Sequence, residues 1–109
     1  MANRDRRKIK SKLRKSSFVI VQGDNKEKWY FQPYGITTSI YTVFSRGSGY
    51  KVYGDDLLKW MARELKLTRP QLLDFIDCDK DQTDIENIYL EKGLFSQQQA
   101  ELLTKRRET

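Results

Sequence analysis

The feature that most constrains the fold of this chain is a change of hydrophobic period at Asp55. From Ser17 to Tyr53 the sequence is rich in β-branched and aromatic residues that alternate with polar ones, the pattern of half-buried strands. Behind Asp55 the apolar residues recur three and four apart, the spacing of amphipathic helices. One such switch, with no interleaving, predicts an α+β fold. The expectation is an N-terminal four-stranded antiparallel β-meander over 16–54 and a helical part over 55–107. At 109 residues both belong to a single domain, 16–109, with one modest core.

The strands are expected at Phe18–Gln22, Lys28–Tyr34, Thr37–Arg46 and Tyr50–Tyr53, with turns at Gly23-Asp24-Asn25 and Gly47-Ser48-Gly49. Connections this short join antiparallel neighbours. Alternation sets Trp29 and Phe31 on one face and Tyr30, Gln32 and Tyr34 on the other; likewise Ile40, Thr42 and Phe44 oppose Tyr41 and Val43. Nine of the thirteen aromatics lie between Phe18 and Tyr53, too many for one sheet face to hide. Two uses are open. Tyr30, Tyr34, Tyr41 and Tyr53 can stack unpaired bases, with Lys28, Arg46 and Lys51 for phosphate, or they pair across strands at the core edge.

Within the helical part, Leu58, Met61, Ala62 and Leu65 make one buried stripe. The stripe breaks at Lys66-Leu67 and restarts behind Thr68, a good N-cap, with Pro70 in the first turn. A helix, a tight turn and a second capped helix, with the small Ala62 at the crossing, resemble the helix-turn-helix DNA-binding superfamily over about residues 58–76. The resemblance implies that the second helix enters a major groove, with Thr68, Arg69 and Gln71 foremost; Arg69 suits guanine and Gln71 adenine. Lys66 stands where Gly usually allows a positive φ, at a strain of roughly 1 kcal/mol. Asp74 and Asp77 on the same helix would repel phosphate. A helical hairpin that only packs against the sheet fits the same residues. A second hairpin is expected over Asp84–Lys92 and Ser96–Arg107, with Gly93 as C-cap, Asp81 or Thr83 capping its first helix, and Ile85, Ile88, Tyr89, Leu94, Phe95, Ala100, Leu102 and Leu103 buried.

Charge is concentrated at the N-terminal end. Arg4, Arg6, Arg7, Lys8, Lys10, Lys12, Arg14 and Lys15 face only Asp5, while the remaining residues hold 13 basic and 14 acidic groups. Residues 1–15 are therefore expected as a disordered basic arm on nucleic-acid phosphates. Ile9 and Leu13, four apart, would let it become helical on a partner.

Other chemistry is sparse. There is no histidine and one cysteine, Cys78, which excludes an internal disulfide, His-based acid–base catalysis and most zinc sites. Asp77-Cys78-Asp79-Lys80-Asp81 begins like a calcium loop, but Gln82 replaces the Gly of the sharp turn and Ile88 the closing Glu. No phosphate loop or nucleophile motif is present, so neither an enzyme nor a cofactor is expected. No apolar run approaches the roughly 20 residues of a membrane span, and no signal peptide is expected from Phe18–Val21. The expected function is a cytoplasmic, non-enzymatic binder of double-stranded DNA, a regulator or accessory DNA-processing factor such as mobile elements carry. The alternatives are a protein-interaction module, with a protein partner on the acidic helical surface, and single-stranded nucleic-acid binding on the aromatic sheet.

Overall fold

The computed structural model describes residues 3–23, 25–45, 51–77 and 80–108. It is α+β, with five helices and two small antiparallel sheets among the described residues. The expected tight turn at Gly47-Ser48-Gly49, Arg46, and the Cys78-Asp79 part of the calcium-like loop lie outside them.

The first departure from expectation is at the N-terminal end. Arg4–Asp5 forms strand β1, and Arg6–Lys15 forms helix α1 rather than an extended arm. Asp5 caps it by accepting from the Arg7 N–H at 2.8 Å, while Lys12, Arg14 and Lys15 complement the negative end of the helix dipole. Ile9 and Leu13 are fully buried, at 1% and 0% exposure. Like-charge repulsion argued for an extended chain, but the structure supplies counter-groups. Asp77 takes Arg4 and Lys8, Glu27 takes Lys10 at 3.0 Å, and the rings of Trp29 and Phe75 lie under Arg14 and Lys12.

Strands β2 (Phe18–Gln22), β3 (Lys26–Phe31) and β4 (Tyr41–Ser45) form one sheet in the order β2-β3-β4. The first three expected strands are thus present, but the second starts earlier, at Lys26, and the third only at Tyr41, with residues 37–40 outside it. The fourth is not part of the meander: β5 (Val52–Tyr53) pairs with β1 instead. A short turn at Pro33–Gly35 holds Tyr34 at φ 54° and Gly35 at φ 78° and ends the stretch expected as strand up to Tyr34. Phe18, Trp29, Phe31, Ile40, Thr42 and Phe44 all face the core, as alternation requires.

Helices α2 (Asp55–Glu64) and α3 (Arg69–Ile76) follow, then α4 (Gln82–Glu91) and α5 (Gln97–Arg107). Leu58, Met61, Ala62, Leu65, Leu67, Leu72 and Phe75 are all buried. Three helices start with reciprocal capping boxes, Thr68 with Gln71, Asp81 with Asp84 and Ser96 with Gln99. Of the apolar residues expected to be buried in the second hairpin, Ile85, Tyr89 and Leu103 are; Ile88, Leu94, Phe95, Ala100 and Leu102 are half-buried. The core runs continuously from α1 through the sheet to α4. No helix among the described residues is long and apolar enough to cross a membrane.

Candidate nucleic-acid interface

The turn between α2 and α3 is held from three sides. Its backbone must reverse within four residues, and it does so by placing Lys66 at φ 58°, in the left-handed region. The carbonyls of the turn residues Leu65 and Lys66 are satisfied from α4 and the residue that follows it. The Tyr89 hydroxyl donates to the Leu65 carbonyl at 2.6 Å, and Lys92 donates to that of Lys66 at 2.6 Å. The Leu67 N–H returns to Ala62 at 2.8 Å. Ala62 is 3% exposed. Burial holds the Tyr89 phenol far above its ordinary range, so it stays a donor.

This bracing presents one surface. Lys59, Ala62, Arg63, Leu67 and Arg69 line a single open depression between the outer side of α2 and the first turn of α3. Lys59 and Arg63 also border an adjoining cleft with Asp56 and Trp60. Trp60 is 62% exposed, the most exposed of the large apolar residues described, and the Arg63 guanidinium lies 5.3 Å from its ring. Lys66 is exposed in the turn. Lys59, Arg63 and Arg69 therefore share one depression, with Trp60 in the cleft beside it and Lys66 in the turn, against Asp55 and Asp56 in the first turn of α2.

The chain matches no family model, no curated protein and no solved structure. What the site can do has to be read from its own chemistry.

The residues singled out from the sequence are placed unequally. Arg69 is half exposed and sits 3.7 Å from Asp55. Thr68 and Gln71 are spent on each other: the Gln71 amide oxygen accepts from the Thr68 N–H at 2.9 Å, and the Thr68 hydroxyl accepts from the Gln71 N–H at 3.2 Å. Gln71 keeps only its amide NH2 for a ligand. The basic residues of the N-terminal stretch are dispersed around α1. Arg4 grips Asp77 with two hydrogen bonds of 2.8 and 2.7 Å, and Lys8 adds a third at 3.1 Å. Hydrogen bonding from Arg4 holds the Asp77 carboxyl below its ordinary value. Asp77 is thus a structural ion pair, not a charge turned toward phosphate. Lys10 lies against Trp29 and Phe44. Lys12 and Lys15 border a depression shared with Ser16, Ser17, Tyr34 and the start of α4. Arg6 is half-buried beside Tyr53, Trp60 and Glu64. Arg7, Lys8, Arg14 and Lys15 are the exposed side of α1.

The tyrosine platform is also divided. Tyr53 is buried against Phe44, and burial raises its pKa. Tyr34 sits in the turn after β3. Tyr30 and Tyr41 share the outer sheet face but stack on each other, centroids 4.9 Å apart, with Lys28 over Tyr41. Each covers one face that a base would use.

The acidic stretch is not one surface either. Asp77 is paired, Asp81 and Asp84 cap α4, and Glu86 is wholly buried, with Gln82 donating to Oε2 at 2.7 Å and Arg107 3.5 Å from Oε1. The expectation that these acids face solvent fails at Glu86, whose carboxyl burial pushes above its ordinary value. Among the described residues no group of three His, Cys, Asp or Glu side chains is arranged to hold a metal. Sequence reasoning missed Trp60, Lys59 and Arg63. Their signal was present: Lys59, Arg63 and Lys66 recur at helical spacing opposite the Leu58–Met61–Leu65 stripe.

Proposed function

We propose that the protein binds double-stranded DNA through α2 and α3, used as a helix-turn-helix, and acts as a non-enzymatic regulator or accessory DNA-processing factor in the cytoplasm. One observation carries this reading: Lys59, Arg63 and Arg69 line the same depression, on two helices held by a braced turn. In such a unit the first helix lies on the phosphate backbone and the start of the second meets base edges. Lys59, Arg63 and Lys66 then serve phosphate, Trp60 packs against the sugar-phosphate edge, and Arg69 exchanges Asp55 for a guanine. The exposed cations of α1 add a second, weaker phosphate contact if the duplex extends past α3. The protein-interaction alternative keeps Asp74, Asp81 and Asp84 exposed, while Asp77 is ion-paired and Glu86 buried.

Duplex binding measured against salt tests it. Three phosphate contacts give a log–log slope near −2.7, or roughly forty-fold in affinity between about 50 and 200 mM salt. Lys59→Ala and Arg63→Ala each remove about one from that slope for every duplex alike. Arg69→Ala instead reduces preference among sequences by roughly 1–3 kcal/mol. Duplex affinity unchanged when Lys59→Ala, Arg63→Ala and Arg69→Ala are combined would overturn the assignment.

A further inference from the structure

Asp56, Lys59, Trp60 and Arg63 fall at i, i+3, i+4 and i+7 of α2, a spacing that puts them on one face of the helix. Leu58, Met61 and Ala62 anchor α2 to the core, so the indole, 62% exposed, is held out rather than packed in. Together the four side chains border an open cleft of about 300 Å³, at the lower end of the range for small-ligand sites. Arg63, one turn after the ring, lays its guanidinium 5.3 Å from the ring centre. Asp56, one turn before the ring, is on its other side along the helix axis. Its carboxylate is unspent. Asp55 sits 3.7 Å from Arg69 and no side chain caps α2, whereas Asp56 has no hydrogen bond or ion pair among the described residues.

Each member of the cleft narrows what can occupy it. A cationic ligand, which an indole alone attracts, meets Lys59 and Arg63. A bare phosphate makes no use of the ring and is opposed by Asp56. A ligand that uses all four carries negative charge, a flat ring and hydrogen-bond donors on the ring edge, which describes a nucleotide. Asp56 then selects the base, because an ionised carboxylate only accepts. Guanine offers two donors side by side on its Watson–Crick edge, the N1–H and the N2 amino group, and one carboxylate can take both in a charge-assisted pair. Adenine and cytosine each set an acceptor nitrogen beside their amino group, and thymine flanks its one N–H with two carbonyls. All three turn a lone pair toward the carboxylate. Within a duplex this edge is occupied by pairing, so the base that enters must be unpaired.

We infer that this cleft binds an unpaired guanine of DNA, stacked on Trp60, with its Watson–Crick edge on the Asp56 carboxylate and its phosphate on Lys59 and Arg63. The inference rests on the nucleic-acid reading of α2 and α3 and narrows it. On an uninterrupted duplex Trp60 meets only the sugar-phosphate edge. Where one strand runs on past the duplex, the ring takes a base, and base–aromatic stacking adds to the phosphate contacts. The preferred partner is therefore a duplex with a single-stranded extension that carries guanine, not a continuous duplex.

Binding to a blunt duplex and to the same duplex with short thymine extensions, all thymine or carrying one guanine, adenine or cytosine, tests it on 5′ and 3′ ends. The quantity read is affinity for the extended duplex divided by affinity for the blunt one, which cancels changes in duplex binding itself. The guanine extension should bind about five- to hundred-fold tighter than the blunt duplex, the range for one stacked base, and several-fold tighter than the other extensions. Fluorescence gives a second readout. The chain has two tryptophans and Trp29 is fully buried, so acrylamide quenching reports Trp60, and the guanine extension should protect it. Trp60→Ala should bring the ratio near one for every extension. Asp56→Asn presents an amide oxygen and an NH2 that match the amino group and N1 of adenine, so its ratio should fall for guanine and rise for adenine. Both side chains are exposed, so far-UV circular dichroism should match the parent. A guanine extension bound no better than thymine, with the blunt duplex still bound, overturns the cleft and leaves the duplex reading standing. So does an Asp56→Asn protein that keeps its full preference for guanine. A guanine extension held through Trp60 with no affinity for the blunt duplex supports the cleft and overturns the duplex reading; no binding of any DNA overturns both.

Discussion

Leu13→Ala separates a core helix from a basic arm at residues 1–15. Leu13 has no exposed surface, and with Ile9 it forms the only apolar contact α1 makes with the common core. Replacing a fully buried leucine by alanine loses the transfer free energy of the removed carbons plus a cavity term, about 2–5 kcal/mol. Proteins of this size hold roughly 5–15 kcal/mol in total, so the change removes a large share. At roughly 4 °C per kcal/mol, the melting temperature should fall by about 10–20 °C. The assay is thermal and urea unfolding, followed by circular dichroism and by fluorescence of the buried Trp29, which lies beneath Lys10 and Arg14. Both probes should shift together. On an extended arm the same substitution would stay within about 0.5 kcal/mol. An unchanged midpoint, or a shift seen by one probe alone, refutes the packing of α1.

Thr68→Ala removes the side-chain half of the α3 cap and should cost about 1 kcal/mol in urea unfolding, with a larger fractional loss of duplex binding if α3 docks as proposed. Lys66→Gly frees a left-handed residue from its Cβ strain and should raise stability by up to about 1 kcal/mol; the bond from Lys92 goes to the backbone and survives. Asp77, held low by Arg4, contributes stability above its ordinary pKa of 3.8 that is lost as pH falls through its depressed value. Asp77→Asn should therefore melt earlier than the parent near pH 7 and converge with it in acid. Glu86 has the opposite sign: burial raises its pKa, so its contribution is most favourable below 4.5 and declines as pH rises through the raised value. Glu86→Gln should abolish that decline, read as melting temperature between about pH 4 and 8.

The helical half was largely legible because its signals are local. Thr68, Asp81 and Ser96 cap the helices expected of them, Gly93 takes the positive φ of a C-cap at 69°, and Lys66 adopts the strained conformation its position demands. The core face of the sheet was legible for the same reason, since alternation alone separates Trp29 from Tyr30. What the sequence hid depends on partners far along the chain. Eight clustered cations look like an arm until Asp77, Glu27, Trp29 and Phe75 are placed beside them, and Glu86 looks solvated until α5 brings Arg107 against it. The fourth strand was misassigned because β1, two residues long, carries no periodicity to read. Trp60 escaped notice because an isolated exposed aromatic breaks no pattern on its helix.

The bond from Arg4 to Asp77 spans 73 residues, and it sets an order on folding during synthesis. Chains emerge from the ribosome at about 5–20 residues per second. Throughout the seconds before α3 appears, α1 has neither Asp77 nor Phe75 to pack on, and only Glu27 and Trp29 of β3 can stand beside its cations. The strand partners of the sheet lie closer along the chain; the Asp77 counter-charge reaches α1 only once α3 has been made. The first helix made thus gains its full set of counter-charges only after α3, and until then part of its basic face is open to whatever polyanion is nearest.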